Sequence, residues 1–186
     1  MALELMTDLE TLAADAAPNA VVLSIGAVLF DPAEENSFED LHAEGFEIYL
    51  DPQQQLNCGI KVDWSTILWW QNQEAAARTT MFNEQLARSS LHVALTALNE
   101  YVKPGKPTHI WGNGPSFDCA ILHNLYKASG VPDPFKYYQQ QCVRTIGKAA
   151  GLKRVNWGVQ HNALDDAVSQ AVYVQRCYKK LGLSKE

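Results

Sequence analysis

Met6-Thr7-Asp8-Leu9-Glu10-Thr11 is the stretch that decides how this chain is read. Ala2 to Met6 reads as a short apolar strand leading into it, so Asp8 and Glu10 stand two residues apart at a strand end. A period of two sends both side chains to one face. Two carboxylates side by side there are costly to bury unless they are paired or hold a cation. A pair of solvated strand-end acids is the alternative.

Two further segments join this one. Trp111-Gly112-Asn113-Gly114-Pro115-Ser116-Phe117-Asp118 reads as a strand end, a Gly-rich turn and an acid at the start of a helix. An acid there also complements the helix dipole, so a structural role competes with a functional one. His161-Asn162-Ala163-Leu164-Asp165-Asp166-Ala167 opens the last helical stretch. Five helical residues turn through about 500°, which would set His161 and Asp166 about 140° apart. The spacing therefore places His161 in the loop before the helix and Asp166 in its first turns. The helical pattern does not separate Asp166 from Asp165 as the functional acid. Carboxylates drawn from three distant segments can share a site only around positive charge, because bare ones repel and protonate. Divalent metal supplies such charge, and two metals beside one base are a recurring device for cutting phosphodiesters.

The rest of the chain supports a mixed α/β organisation. Ala20 to Phe30 and Phe46 to Leu50 read as strands, ended by Asp31-Pro32 and Asp51-Pro52, and with the first strand they suggest an antiparallel meander. Asp63 is placed to cap a helix running to about Gln73, and the apolar spacing of Leu86, Leu91, Ala94, Leu95 and Leu98 predicts a helix over Asn83 to Val102. Thr108 to Trp111 reads as a strand, Phe117 to Ser129 as a helix stopped by Gly130, and Gln140 to Val143 as a short strand. Helices to Ala150 and from Asn162 to Leu181 follow, each ended by a glycine.

Composition bounds the class. The 186 residues suit one domain, and 47% hydrophobic with 19% charged residues is ordinary for a globular protein. No apolar run approaches membrane-spanning length and no secretory signal is evident, so the cytoplasm is the default location. Cys58, Cys119, Cys142 and Cys177 form no metal-binding or disulfide pattern and read as reduced, mostly buried thiols. The net charge of −6 argues against a nucleic-acid partner until its distribution is seen. Six acids and no Lys or Arg fall within residues 31–44, read as a surface loop, and outside it the charges balance at 15 acids and 15 bases.

Taken together, the three segments resemble the DEDDh group of 3′→5′ exonucleases of the ribonuclease H-like superfamily. The likeness is strongest to its phage and prophage branch, related to exodeoxyribonuclease VIII and the small bacterial 3′→5′ exoribonuclease domain. It runs from about residue 3 to about residue 180. Any one motif occurs by chance; three in order at domain-scale separations do not. The resemblance implies an α/β fold, a ribonuclease H-like mixed sheet flanked by helices, over a single domain at residues 1–186. It implies two divalent ions, Mg or Mn, with Asp8, Glu10 and Asp166 on one and Asp8 with Asp118 on the other. It selects Asp166 over Asp165, taken as a solvated neighbour, and makes His161 the general base, for which an unperturbed pKa near 6.5 is suited. The implied reaction releases nucleoside 5′-monophosphates from the 3′ ends of single-stranded DNA or RNA. The chain departs from related sequences at Cys142, where an acidic residue often precedes Val-Arg-Thr.

Substrate contacts are expected around this centre. Thr11 and Leu12 resemble positions that pack on the terminal nucleotide. Trp69 and Trp70 cannot share a helix face; one enters the core and the other, assigned here as Trp70, is free to stack on a base, core packing of both being the alternative. Phe117 is a similar candidate. Asn113 either holds the Gly-rich turn or touches substrate. Arg144, with Lys148, Lys153 and Arg154, forms a candidate track for the substrate backbone, or else a solvated face. Two other readings compete: a nucleic-acid-binding module without turnover, and a phosphodiesterase for very short oligonucleotides. The residues leave open whether the chain acts alone or as a homodimer.

Overall fold

The structure, a computed structural model, describes residues 3–14 and 18–183. Strands β1 (Glu4–Thr11), β2 (Val22–Phe30) and β3 (Phe46–Tyr49) make an antiparallel meander. Strands β4 (Ile110–Gly112) and β5 (Gln140–Cys142) extend it in parallel from the other side of β1, giving the order β3-β2-β1-β4-β5. Eight α-helices are described: α1 (Phe38–Ala43), α2 (Pro52–Asn57), α3 (Trp64–Gln71), α4 (Ala75–Met81), α5 (Leu91–Val102), α6 (Asp118–Ser129), α7 (Val143–Ala150) and α8 (Ala163–Leu181). The result is a mixed α/β sheet flanked by helices.

The alternation of β1 explains the layers. Leu5 and Leu9 point into one core with Leu95 and Leu98 of α5 and Ile121 and Leu125 of α6. Met6, on the opposite face, joins Val28 and Phe30 of β2 and Ala167, Val168 and Ala171 of α8. Each large apolar side chain so buried contributes about 1.5–3 kcal/mol, which fastens both helical layers to the central strands. Leu23, Trp70, Ala77 and Met81 form a smaller third cluster under α3 and α4.

Several expected boundaries move. The first strand runs on to Thr11, because Asp8 and Glu10 are paired with Gly26 and Ser24 of β2, so both acids lie within the strand and not after it. Ala2, at its expected start, lies outside the described residues. The helix expected from Asn83 begins only at Leu91, where Ser90 caps it by accepting from the Val93 N–H; Leu86 belongs to the irregular segment before it. Residues 31–44 are not a loop throughout. Ser37 and Asp40 form a capping box that starts α1, and Asp31 is buried, its carboxylate accepting from the Ala33 N–H. Cys58 is exposed, against the expectation of mostly buried thiols, while Cys119 and Cys177 are buried.

One glycine sets how closely α8 approaches the sheet. Gly26, opposite Asp8 in β2, lies where an added Cβ would come 2.1 Å from the Ala163 carbonyl group. The neighbour there is backbone at the first turn of α8 and cannot swing aside. Gly26→Ala is therefore expected to push α8 off the sheet and lower stability by about 1–3 kcal/mol, although alanine is no worse than glycine in an open strand. A thermal melt checks this; an unchanged midpoint would mean that α8 is not held this tightly.

Candidate active site

The strand pairing and the α8 contact bring the acids together. Glu10, Asp118 and Asp166 are buried, and Asp8 is partly so. Asp8 and Glu10 project from the face of β1 that α8 covers. Asp118 begins α6, just beyond the carboxyl end of β4, where its Oδ2 accepts from the Asn113 N–H at 3.1 Å. Asp166 lies in the first turn of α8, with Asn162 as the helix cap. Its Oδ2 accepts from the His161 N–H at 2.9 Å, and Arg154 reaches its Oδ1 at 3.5 Å.

His161 stands outside the helix, on a loop whose backbone it bends into the left-handed region at φ 63°. That conformation costs a non-glycine residue about 1–2 kcal/mol, so the hydrogen bond to Asp166 and the packing of the ring must hold it. The imidazole centroid is 4.8 Å from the ring of Trp69 and 6.2 Å from that of Trp70, edge-on to both. Ligand atoms of Glu10, His161 and Asp166 all lie within 4.8 Å of one another, a spacing that could hold a metal ion. This compact trio contains His161 and not Asp8.

Electrostatics favour a cation. Burial pushes Glu10 up to about 8, with the Asp166 and Asp118 carboxylates adding to it. Burial pushes Asp118 up to about 7, against the pull of the Asn113 N–H. Asp8 is raised well above the carboxylate range by burial and then by Asp118, Glu10 and Asp166. Burial also raises Asp166. Four acids held where they resist ionising are a donor set that oxygen-preferring divalent ions suit. Burial lowers His161, which keeps the ring neutral near pH 7.

Beside the acids is a cleft of about 420 Å³ lined by Leu9, Glu10, Thr11, Ala14, Ser65, Thr66, Trp69 and Phe117. Thr11 and Phe117 thus face it, whereas Leu12 packs between two apolar clusters. Trp70 does not offer a stacking face. It is 1% exposed, packed with Leu23, Ala77 and Met81, and its indole N–H donates to the Thr11 carbonyl at 2.8 Å. The helix turns its neighbour Trp69, 43% exposed, into the cleft instead. Asn113 and Arg144 bond to each other at 3.3 Å, and the guanidinium lies over Gly114. Asp165 is not a solvated neighbour: its carboxylate holds His42 and the Val159 N–H. Gln170 was missed by the sequence reading; its amide donates to Asp8 at 2.6 Å, and its place one helical turn beyond Asp166 was the available signal. A separate cavity of about 290 Å³ beside α6 contains none of the four acids.

Solved structures with the same fold include cell-death related nuclease 4 (TM-score 0.55, 16% identity, 97% of this chain and 64% of that one). The Mg²⁺- and Mn²⁺-bound form of S. pombe Pop2p (TM-score 0.52, 12% identity) overlaps 94% of this chain and 82% of that one. A full-length 3′-exonuclease (TM-score 0.51, 13% identity) overlaps 95% and 81%. The chain thus spans somewhat less than two thirds of the first of these. An exodeoxyribonuclease of Enterobacteria phage T4 is 27% identical over 171 residues, 81% of this chain and 73% of the relative. A ribonuclease H-like α/β fold carrying a buried acid cluster defines the class. The chain belongs to the 3′-5′ exoribonuclease Rv2179c-like domain family, whose model matches residues 3–178. It is a 3′→5′ exonuclease, a phosphodiester hydrolase whose substrate is nucleic acid. Among the described residues no helix is long and apolar enough to cross a membrane.

The raised carboxyls bind protons more tightly in the folded protein than in the unfolded chain. Without a cation, their contribution to stability is therefore present below the ordinary carboxylate range and is lost as pH rises through about 7 for Asp118 and about 8 for Glu10. Mn²⁺ is expected to raise the melting midpoint more at about pH 8 than at about pH 5. Asp118→Asn should raise the cation-free midpoint at the higher pH by about 2–4 °C, the equivalent of ~1 kcal/mol. Melts in EDTA and in Mn²⁺ at both pH values check this; equal shifts at the two would show that the acids ionise normally.

Proposed function

We propose that this chain, as one exonuclease domain, removes nucleotides singly from the 3′ end of single-stranded nucleic acid and releases nucleoside 5′-monophosphates. The observation that carries the reading is the convergence of four carboxylates from β1, α6 and α8 beside one histidine and an aromatic-lined cleft. Asp8, Glu10, Asp118 and Asp166 would hold two Mg²⁺ or Mn²⁺ ions. Bound there, the ions would offset the clustered negative charge and polarise the phosphate for attack.

The chain's own groups do the rest. His161 takes the proton from the attacking water; its ring is neutral because burial lowers its proton affinity, so a nitrogen is free to accept. The imidazolium that results faces Asp166, whose charge stabilises it. Trp69 and Phe117 grip the terminal base by stacking, which tolerates any sequence. Thr11, Ser65 and Thr66 line the same cleft, where the sugar would sit. Arg144 neutralises phosphate near the Gly-rich turn. Stacking on both sides of a cleft requires an unpaired end, which supports single strands over duplex.

5′-labelled DNA and RNA strands test this directly. In Mn²⁺ a ladder shortening from the 3′ end is expected, and in EDTA none. Intact strands in every lane would leave the binding-module reading. A rate confined to strands of a few nucleotides would favour the short-oligonucleotide reading. His161→Ala should lower turnover by about 10²–10⁴-fold with metal affinity retained. Trp69→Leu should raise KM, at about 1–3 kcal/mol for a lost stack, while Trp70→Leu lowers the melting midpoint instead. The reverse pattern for the two tryptophans would show that the cleft does not take the base.

A further inference from the structure

The loop that carries His161 joins α7 to α8 across residues 151–162 without regular structure. Its shape depends on a residue outside the acid cluster. Asp165 Oδ2 accepts from the Val159 N–H at 2.6 Å, two residues before His161. Its other oxygen, Oδ1, meets His42 Nε2 at 2.9 Å, and its side chain is only 13% exposed. Gly158 makes room for this carboxylate: it takes φ +69°, and a Cβ there would come 2.4 Å from Asp165 Oδ2. Two adjacent acids of α8 thus divide the loop between them, Asp165 holding residue 159 and Asp166 the His161 N–H.

The far side of this arrangement is the acidic segment. His42 is in the last turn of α1, its ring 5.3 Å from Phe38, and Phe38 stacks on Trp157 of the same loop at 6.3 Å. The segment is itself fixed to α8, since Gln175 accepts from the Asn36 N–H at 3.1 Å and donates to the Asp31 carbonyl at 2.9 Å. We infer that Asp165, braced by His42, is a positioning residue for His161, and that residues 31–44 are the buttress of the histidine loop. The inference rests on reading His161 as the base. Releasing Val159 would let the loop relax from its left-handed turn and carry the imidazole away from the attacking water. The Asp165 carboxylate bonds to His42 and Val159 and not to the cleft residues, Asp8, Glu10 or Asp118, which would stay in place, while Asp166, its chain neighbour, is fixed by the first turn of α8.

The test is steady-state cleavage of a 5′-labelled strand in Mn²⁺ by the full chain and its variants, with Mn²⁺ affinity measured by calorimetry. Asp165→Ala is expected to lower kcat about tenfold or more, with KM and Mn²⁺ affinity within about twofold. Asp165→Asn should restore most of kcat, because its amide oxygen still accepts from Val159 and its amide nitrogen can meet His42. His42→Ala should lower kcat in the same direction by about threefold, from a different helix and without touching the loop. Wild-type kcat in both alanine variants, while His161→Ala is inactive, overturns the inference and spares the base assignment. Loss of Mn²⁺ affinity in Asp165→Ala overturns it too, as damage to the acid cluster. Full activity in His161→Ala overturns the underlying reading.

Discussion

A contact between two backbones governs this molecule. Gly26 in β2 and Ala163 at the head of α8 meet with no side chain between them, so the last helix lies against the central strands at its very first turn. Gly26 is the register partner of Asp8, and Asp166 is three residues beyond Ala163. The same approach that closes the apolar layer of Met6, Val28 and Ala167 therefore drives carboxylates of strand and helix into one volume. Apolar burial along α8 offsets electrostatic repulsion at its first turn. The site is a strained corner of a well-packed layer.

That strain has a chemical use. Burial and the Asp166 and Asp118 carboxylates push Glu10 up to about 8, and burial pushes Asp118 up to about 7 against backbone N–H groups and Arg144. A protein of ordinary stability keeps such a cluster only where something compensates it, and a divalent ion is the compensation that also polarises phosphate. Gln170 and the Asn113 N–H hold the outer oxygens of Asp8 and Asp118, so these carboxylates are oriented before any ligand arrives. His161 is preorganised differently, by a left-handed turn in a loop tied down at Val159 and Trp157.

The two tryptophans show how a local pattern and a fold differ. Adjacent helical residues point about 100° apart, so one of the pair had to leave the core. Which one depended on where Leu23 and Met81 lie relative to α3, and on the Thr11 carbonyl that takes the Trp70 N–H. No feature of the α3 sequence carries that information. The acidic segment is a second case. Its charge pattern read as a solvated loop, yet a capping box at Ser37 folds part of it, and Gln175 and Asp165, some 130 residues away in sequence, hold it on α8.

What the sequence determined by itself was the set of local frames: Asp8 and Glu10 two apart on a strand, Asp118 at a helix start, and His161 displaced from the helix of Asp166. Strand period, helical turn and capping chemistry act within a few residues, so they are legible in order along the chain. The antiparallel meander and the glycine-stopped helices were legible for the same reason. Tertiary structure alone decided that β1 runs on to Thr11, that Trp69 and not Trp70 faces the cleft, that Gln170 holds Asp8, and that Asp165 holds the histidine loop. The first three rest on partners from other elements that only tertiary packing brings within hydrogen-bonding or van der Waals reach; Asp165 reaches Val159 six residues back, but its brace, His42, is 123 residues away.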